Sequence, residues 1–125
     1  MENEYFIPDI EDIYIGYELE HLSANGYIET KFEINSSLHA LQELIKLNQI
    51  RVPYLTKEQI ESEGWKFDYN LGDFDYYIKT VNDTNYELEF CYKERININE
   101  YKFTLYHGEC KDINTFRKII KLLEI

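Results

Sequence analysis

Apolar and polar side chains alternate along several short segments of this chain, and residues typical of turns separate these segments. A period of two is the signature of a β-strand with one buried face. The alternation is clear from Ile13 to Leu19, and it resumes from Tyr27 to Ile34. Between the two segments, Asn25-Gly26 is a strong signal for a tight turn. The sequence therefore predicts an N-terminal β-hairpin.

Three segments have a helical period instead. Apolar residues three and four apart, preceded by the possible N-caps Asn35-Ser36-Ser37, predict a helix over about 37–48. Thr56 and Gln59 form a capping box, and Gly64 provides a stop, so a short helix is expected over 57–63. Asp112 or Asn114 caps a final helix. Its apolar stripe is Phe116, Ile119, Ile120 and Leu123.

Four more strands are predicted in the C-terminal half: Trp65–Tyr69, Phe74–Val81, Tyr86–Lys93 and Tyr101–His107. Residues 96–100 are expected to form a loop, and Pro53 favours an edge position for the extended piece Ile50–Leu55. The residues expected to face the core are Phe74, Tyr76, Ile78, Tyr86, Leu88, Phe90, Tyr92, Tyr101, Phe103 and Leu105.

These elements predict a single α+β domain over residues 1–125. Its antiparallel sheet comprises the N-terminal hairpin and a C-terminal four-strand meander. Two longer helices and one short helix pack on one face of that sheet. A hydrophobic fraction of 44% and an aromatic fraction of 16% are sufficient for a buried core.

The charge of the chain limits its partners. With 24 acidic and 13 basic residues, the formal net charge is −11. The acidic residues are concentrated in residues 1–33 and 57–100, whereas residues 101–125 have more basic than acidic side chains. Such a field repels nucleic acid and anionic membranes and favours a partner with a basic surface. Direct binding to nucleic acid or to a membrane is not expected.

Acidic residues at alternate strand positions predict an acidic sheet face. Its candidate residues are Glu18, Glu20, Glu29, Glu33, Asp73, Asp75, Glu87 and Glu89. Alternate residues of a strand lie about 6.8 Å apart and neighbouring strands about 4.8 Å apart, so such carboxylates can imitate an array of phosphates. The alternative is that these charges only maintain solubility.

The sequence contains no recognisable catalytic, metal or cofactor motif. The acidic N-terminal region and the three histidines, His21, His39 and His107, match no metal-site spacing. Cys110 and His107 are close in sequence, but closeness alone is weak evidence for a nucleophile and its base. The glycines form no phosphate-binding loop. The sequence therefore predicts no enzyme activity, no metal and no cofactor.

Cysteine content and the N-terminus indicate the compartment. Cys91 and Cys110 are expected to be reduced structural thiols, because a small secreted domain usually holds more cysteines in paired spacing. The acidic start of the chain is unlike a secretory signal. A cytoplasmic protein is expected.

Two stretches, Ile7–Glu20 and Tyr54–Trp65, resemble short uncharacterised proteins encoded by Bacteroidetes phages, including crAss-like phages, and related mobile elements. The resemblance covers the first strand and the capped short helix, less than half of the chain. It implies a phage accessory protein in the host cytoplasm, and it carries over no catalytic residues.

The leading hypothesis is an acidic accessory protein that binds a basic host or defence macromolecule, as a nucleic-acid mimic or inhibitor, without catalysis. The alternative is a protein that binds or sequesters a small ligand such as a nucleotide signal. That function needs local positive charge, for which the candidates are Lys102, Lys111, Arg117, Lys118 and Lys121.

Overall fold

A computed structural model describes residues 4–33 and 37–125, and the chain divides into two compact units, Met1–Pro53 and Tyr54–Ile125. The first unit contains β1 (Tyr5–Phe6), a 3₁₀ helix (Ile10–Asp12), β2 (Glu18–Ser23), β3 (Gly26–Lys31), α1 (Leu38–Lys46) and β4 (Ile50–Pro53). The second contains α2 (Lys57–Ser62), β5 (Lys66–Leu71), β6 (Phe74–Val81), β7 (Thr84–Cys91), β8 (Arg95–Glu100), β9 (Phe103–Glu109) and α3 (Ile113–Leu123).

The α+β class with antiparallel strands is confirmed, but the strands form two sheets where one was predicted. The first unit has a four-stranded sheet of order β1-β4-β2-β3, and the second a five-stranded meander of order β5-β6-β7-β8-β9. Each sheet has its own core cluster. Local periodicity identifies strands, but it does not say which strands pair.

The predicted hairpin forms β2 and β3, with Ser23 opposite Gly26. Its first strand begins at Glu18, later than predicted, because Gly16 adopts a turn with φ of +94°. Helix α1 begins after Ser37, whose hydroxyl accepts a hydrogen bond from the Ala40 amide at 3.2 Å. The predicted strand end at Ile34 and the alternative caps Asn35 and Ser36 lie outside the described residues.

Strand β4 lies inside its sheet, not at the edge predicted from Pro53. It pairs with β2 through Ile50 and Arg51, and with β1 through Val52 and Pro53. Because Pro53 is the last residue of β4, its missing amide hydrogen interrupts little of the ladder. Because the two-residue β1 pairs with β4 on the side away from β2, β4 has a neighbour on both sides.

The five-stranded sheet contains β8, whose residues 96–100 were predicted to form a loop. In β8, Ile96 and Ile98 are fully buried, while Asn97 and Asn99 point to the other face. Four of its six residues are polar, which gave the segment the appearance of a loop. Positive φ angles at Lys93 (67°) and Tyr101 (55°) form the turns that bound this strand.

Helices α2 and α3 pack on one face of this sheet, as predicted. Thr56 and Gln59 form the reciprocal capping box of α2. Ile60 from α2 and Phe116 from α3 join Trp65, Leu88 and Phe90 in the buried cluster. The second unit is therefore a two-layer structure with helices on one side of a meander.

The predicted orientation of β6 is wrong. Tyr77 is fully buried in the core, whereas Ile78 is 43% exposed and Tyr76 lies on the face away from the helices. The segment Phe74–Ile78 has aromatic or aliphatic residues at both parities, so alternation does not choose between them. Tyr101 and Phe103 are also exposed, against prediction: Tyr101 lies in the turn before β9, and Phe103 is the first residue of that strand.

Candidate functional site

The structure divides the eight predicted acidic residues equally between the two units. Glu18, Glu20, Glu29 and Glu33 belong to the first unit, and Asp73, Asp75, Glu87 and Glu89 to the second. They therefore occupy two different sheets. Only some of them share a face, and their surroundings differ.

The carboxylates on β2 have basic partners. Glu20 Oε1 lies 2.8 Å from Arg51 Nε, and Glu18 Oε1 lies 3.8 Å from Lys31 Nζ. Glu29 stands directly opposite Glu20 on β3, and Glu33 is exposed beyond the end of that strand. Local bases thus balance much of the negative charge of this face.

Asp73 and Asp75 lie near the β5–β6 turn, and Asp75 also has partners. Its Oδ2 is 3.3 Å from Lys57 Nζ, and its Oδ1 accepts a hydrogen bond from Asn70 Nδ2 at 2.9 Å. Asp75 pairs with Phe90, so it shares the parity that faces the helices. It does not share a face with Glu87 and Glu89.

Glu87 and Glu89 are on the central strand β7 and point away from α2 and α3. We call this side of the meander the open face. Its residues include Tyr69, Tyr76, Ile78, Glu87, Glu89, Asn97, Asn99 and His107, and the register also places Lys66 and Arg95 on it. Among the residues that the structure describes, no basic side chain forms an ion pair with Glu87 or Glu89.

Two tyrosines lie beside these carboxylates. The rings of Tyr69 and Tyr76 stack with centroids 4.5 Å apart and an interplanar angle of 10°. Tyr76 Oη donates a hydrogen bond to Glu89 Oε2 at 3.2 Å. Partial desolvation, and then the negative charges of Glu87, Asp68 and Glu89, raise the pKa of Tyr69. Desolvation and Glu89 likewise raise the pKa of Tyr76. Both phenols therefore stay neutral and protonated at physiological pH.

The open face is rich in hydrogen-bond acceptors. Asn97 stands between Glu89 and His107 in the strand register, and its Oδ1 is buried without a hydrogen-bond partner among the described residues. An acceptor of this kind is unfavourable unless a donor reaches it. Two carboxylates, two aromatic rings and an unpaired amide oxygen together suit a cationic group with several N–H donors.

The histidines and cysteines form no reactive set in the described part of the chain. No group of three metal-binding side chains occurs there. Cys110 is buried, and burial raises the pKa of its thiol to about 12. His107 is exposed on the open face. Both cysteines are free thiols, as predicted, and a neutral buried thiol is a weak nucleophile.

Two of the five predicted basic candidates form ion pairs with acids. Arg117 Nε lies 2.7 Å from Glu63 Oε1, and Lys111 Nζ lies 3.4 Å from Glu109 Oε1. A basic group that the sequence interpretation missed is Arg51, whose guanidinium lies against the rings of Tyr5 and Tyr27. No sequence signal marks this group, because its three residues come from different strands.

Comparisons with family models, curated proteins and solved structures found no match for this chain. No helix in the described ranges 4–33 and 37–125 is long and apolar enough to cross a membrane. The functional interpretation consequently depends on the geometry of the two units.

Proposed function

We propose that this chain is a small phage-type accessory protein, acting in the cytoplasm of a host cell, that binds a basic host or defence macromolecule without catalysis. The binding surface is the open face of the five-stranded sheet. The phage origin is an inference from the resemblance of Ile7–Glu20 and Tyr54–Trp65. The observation that carries the binding proposal is the pair Glu87 and Glu89, which have no basic partner in the described residues.

The position of these two carboxylates supports a binding role. They occupy the same face of the central strand, partly exposed, between the neighbouring strands β6 and β8. Negative charges at alternate positions repel each other, and no lysine or arginine among the described residues forms an ion pair with either carboxylate. A basic partner would do so, and it would gain two charge-assisted hydrogen bonds.

The aromatic part of the face supports a cation in particular. The stacked Tyr69 and Tyr76 rings offer a flat, electron-rich surface within the same patch. Arginine side chains both stack on such rings and donate to carboxylates, so an arginine-bearing segment of a partner satisfies both features. Ile78 adds an exposed apolar contact beside Glu87.

A basic protein is a better partner than nucleic acid for this face. The chain has a formal charge of −11, which disfavours any approach of a phosphate backbone. Because Glu87 and Glu89 are only two charges, the contact that we propose is local. An extended imitation of nucleic acid would require the carboxylates of both sheets.

The salt dependence of binding to a fluorescently labelled arginine-rich peptide tests the proposal. We expect saturable binding whose affinity falls as the salt concentration rises, because the screening length shortens from about 10 Å at 0.1 M to about 3 Å at 1 M. Fluorescence anisotropy provides the dissociation constants. A peptide of equal length with glutamate in place of arginine is the control and should not bind. Binding that does not change with salt would contradict the proposal.

A further inference from the structure

A second candidate site lies in the first unit and is independent of the open face. The guanidinium carbon of Arg51 is 3.6 Å from the centroid of the Tyr5 ring and 3.7 Å from that of the Tyr27 ring. Both rings contact the guanidinium, and together they restrict the positions that it can take. The guanidinium plane is thereby fixed by residues of β1, β3 and β4.

The Nε edge of this guanidinium donates a hydrogen bond, whereas its terminal nitrogens have no acceptor among the described residues. Arg51 Nε donates to Glu20 Oε1 at 2.8 Å. No described residue accepts a hydrogen bond from the two terminal nitrogens, Nη1 and Nη2. An arginine carries five N–H donors, so four of them remain for another acceptor.

Arg51 also lines a cavity of about 240 Å³. The other residues that line it are Tyr5, Phe6, Ile7, Tyr27, Asn48 and Ile50. Most of these walls are aromatic or aliphatic, with the guanidinium as their charged group. Aromatic and aliphatic side chains, together with polar atoms and one fixed charge, are the usual composition of a small-ligand site.

We propose that this cavity binds a small molecule that carries an oxyanion, either a phosphate or a carboxylate, on a planar apolar body. The oxyanion accepts two parallel hydrogen bonds from Nη1 and Nη2, the geometry that arginine provides and lysine does not. The two tyrosine rings immobilise the guanidinium before the ligand arrives, which lowers the entropic cost of binding. The apolar walls contact the body of the ligand.

Glu20 makes the site selective. Its carboxylate offsets one unit of the charge of Arg51, so a bare inorganic anion gains little from long-range attraction. Binding then depends on the two directed hydrogen bonds together with the apolar contact. Phenyl phosphate is therefore expected to bind more tightly than inorganic phosphate, and benzoate tests whether a carboxylate replaces the phosphate.

Isothermal titration calorimetry and NMR with phenyl phosphate, inorganic phosphate and benzoate test this site. We expect one saturable site for phenyl phosphate, with shifts of the Arg51 Nε–H resonance and of the Tyr5 and Tyr27 rings. Arg51→Lys should weaken binding by about tenfold or more, because lysine keeps the positive charge but cannot donate the two parallel hydrogen bonds of a guanidinium. Arg95→Lys is the matched control, because Arg95 also lies over an aromatic ring, that of Phe74, but in the second unit.

Each other outcome overturns the proposal. If phenyl phosphate does not saturate wild-type protein, or binds without shifting the Arg51 resonance, the Arg51 cluster is a structural clamp between strands. Equal binding by wild-type protein and a folded Arg51→Lys variant leads to the same conclusion. Should Arg51→Lys fail to fold, the wild-type NMR titration still decides, because it requires no substitution.

Discussion

Replacing Ile98 with alanine should lower the free energy of unfolding by about 2–5 kcal/mol, whereas the same change at Ile78 should cost less than about 1 kcal/mol. Ile98 is fully buried in the core of the second unit, and Ile78 is 43% exposed on the open face. Truncating a buried isoleucine removes its packing contacts and leaves a cavity. At an exposed position the same truncation lowers the free energy of unfolding much less, because few packing contacts are lost.

Urea denaturation followed by tryptophan fluorescence measures both variants. Trp65 is the single tryptophan of the chain, and it is buried in the same core, so its signal reports the second unit. The pair also tests the orientation of β6, for which the sequence predicted that Ile78 faces the core. If Ile78→Ala is as damaging as Ile98→Ala, Ile78 is buried and the open face described above is wrong.

Reversing both carboxylates of the open face, Glu87→Lys with Glu89→Lys, should weaken binding to the arginine-rich peptide by at least about 30-fold. Loss of a hydrogen-bonded charge pair costs about 2 kcal/mol or more, and repulsion from the new lysines adds to it. The fold should survive, because both side chains are on the face away from the core. Circular dichroism and anisotropy measure the two effects.

The matched control is Glu58→Lys with Glu61→Lys, which changes the net charge by the same amount. Both of these residues are exposed on α2, on the helix side of the second unit. An equal loss of binding in this variant would show that only total charge matters, and it would exclude a specific site. Reversal of Lys118 and Lys121 on α3 should not weaken binding to the peptide, and a loss of binding there would contradict the open face as the contact surface.

Most of the local structure was predictable, because its causes lie within a few residues of one another. The Asn25-Gly26 turn, the Thr56–Gln59 capping box and the stripe around Phe116 each depend on short spacings. The division into two sheets was not predictable in this way. It depends on which strands pair, and the two-residue strand β1 has too little sequence for a signal.

The candidate site was predicted only in part. Alternation along β7 placed Glu87 and Glu89 together correctly. Their proximity to the stacked Tyr69 and Tyr76 depends on the register of β5, β6 and β7, including the irregularity between Phe67 and Tyr69. Long-range pairing also decided which acidic residues are balanced, as with Glu20 and Arg51. Such contacts leave no pattern in one sequence.

Amide chemical-shift mapping tests the central claim, that the open face holds the basic partner, most directly. On addition of the arginine-rich peptide to isotope-labelled protein, the largest shifts should cluster on β6, β7 and β8, around Tyr76, Glu87, Glu89 and Asn97. These residues are neighbours across the sheet. Shifts confined to Glu18 and Glu20 in the first unit, or to α3, would contradict the proposed binding face.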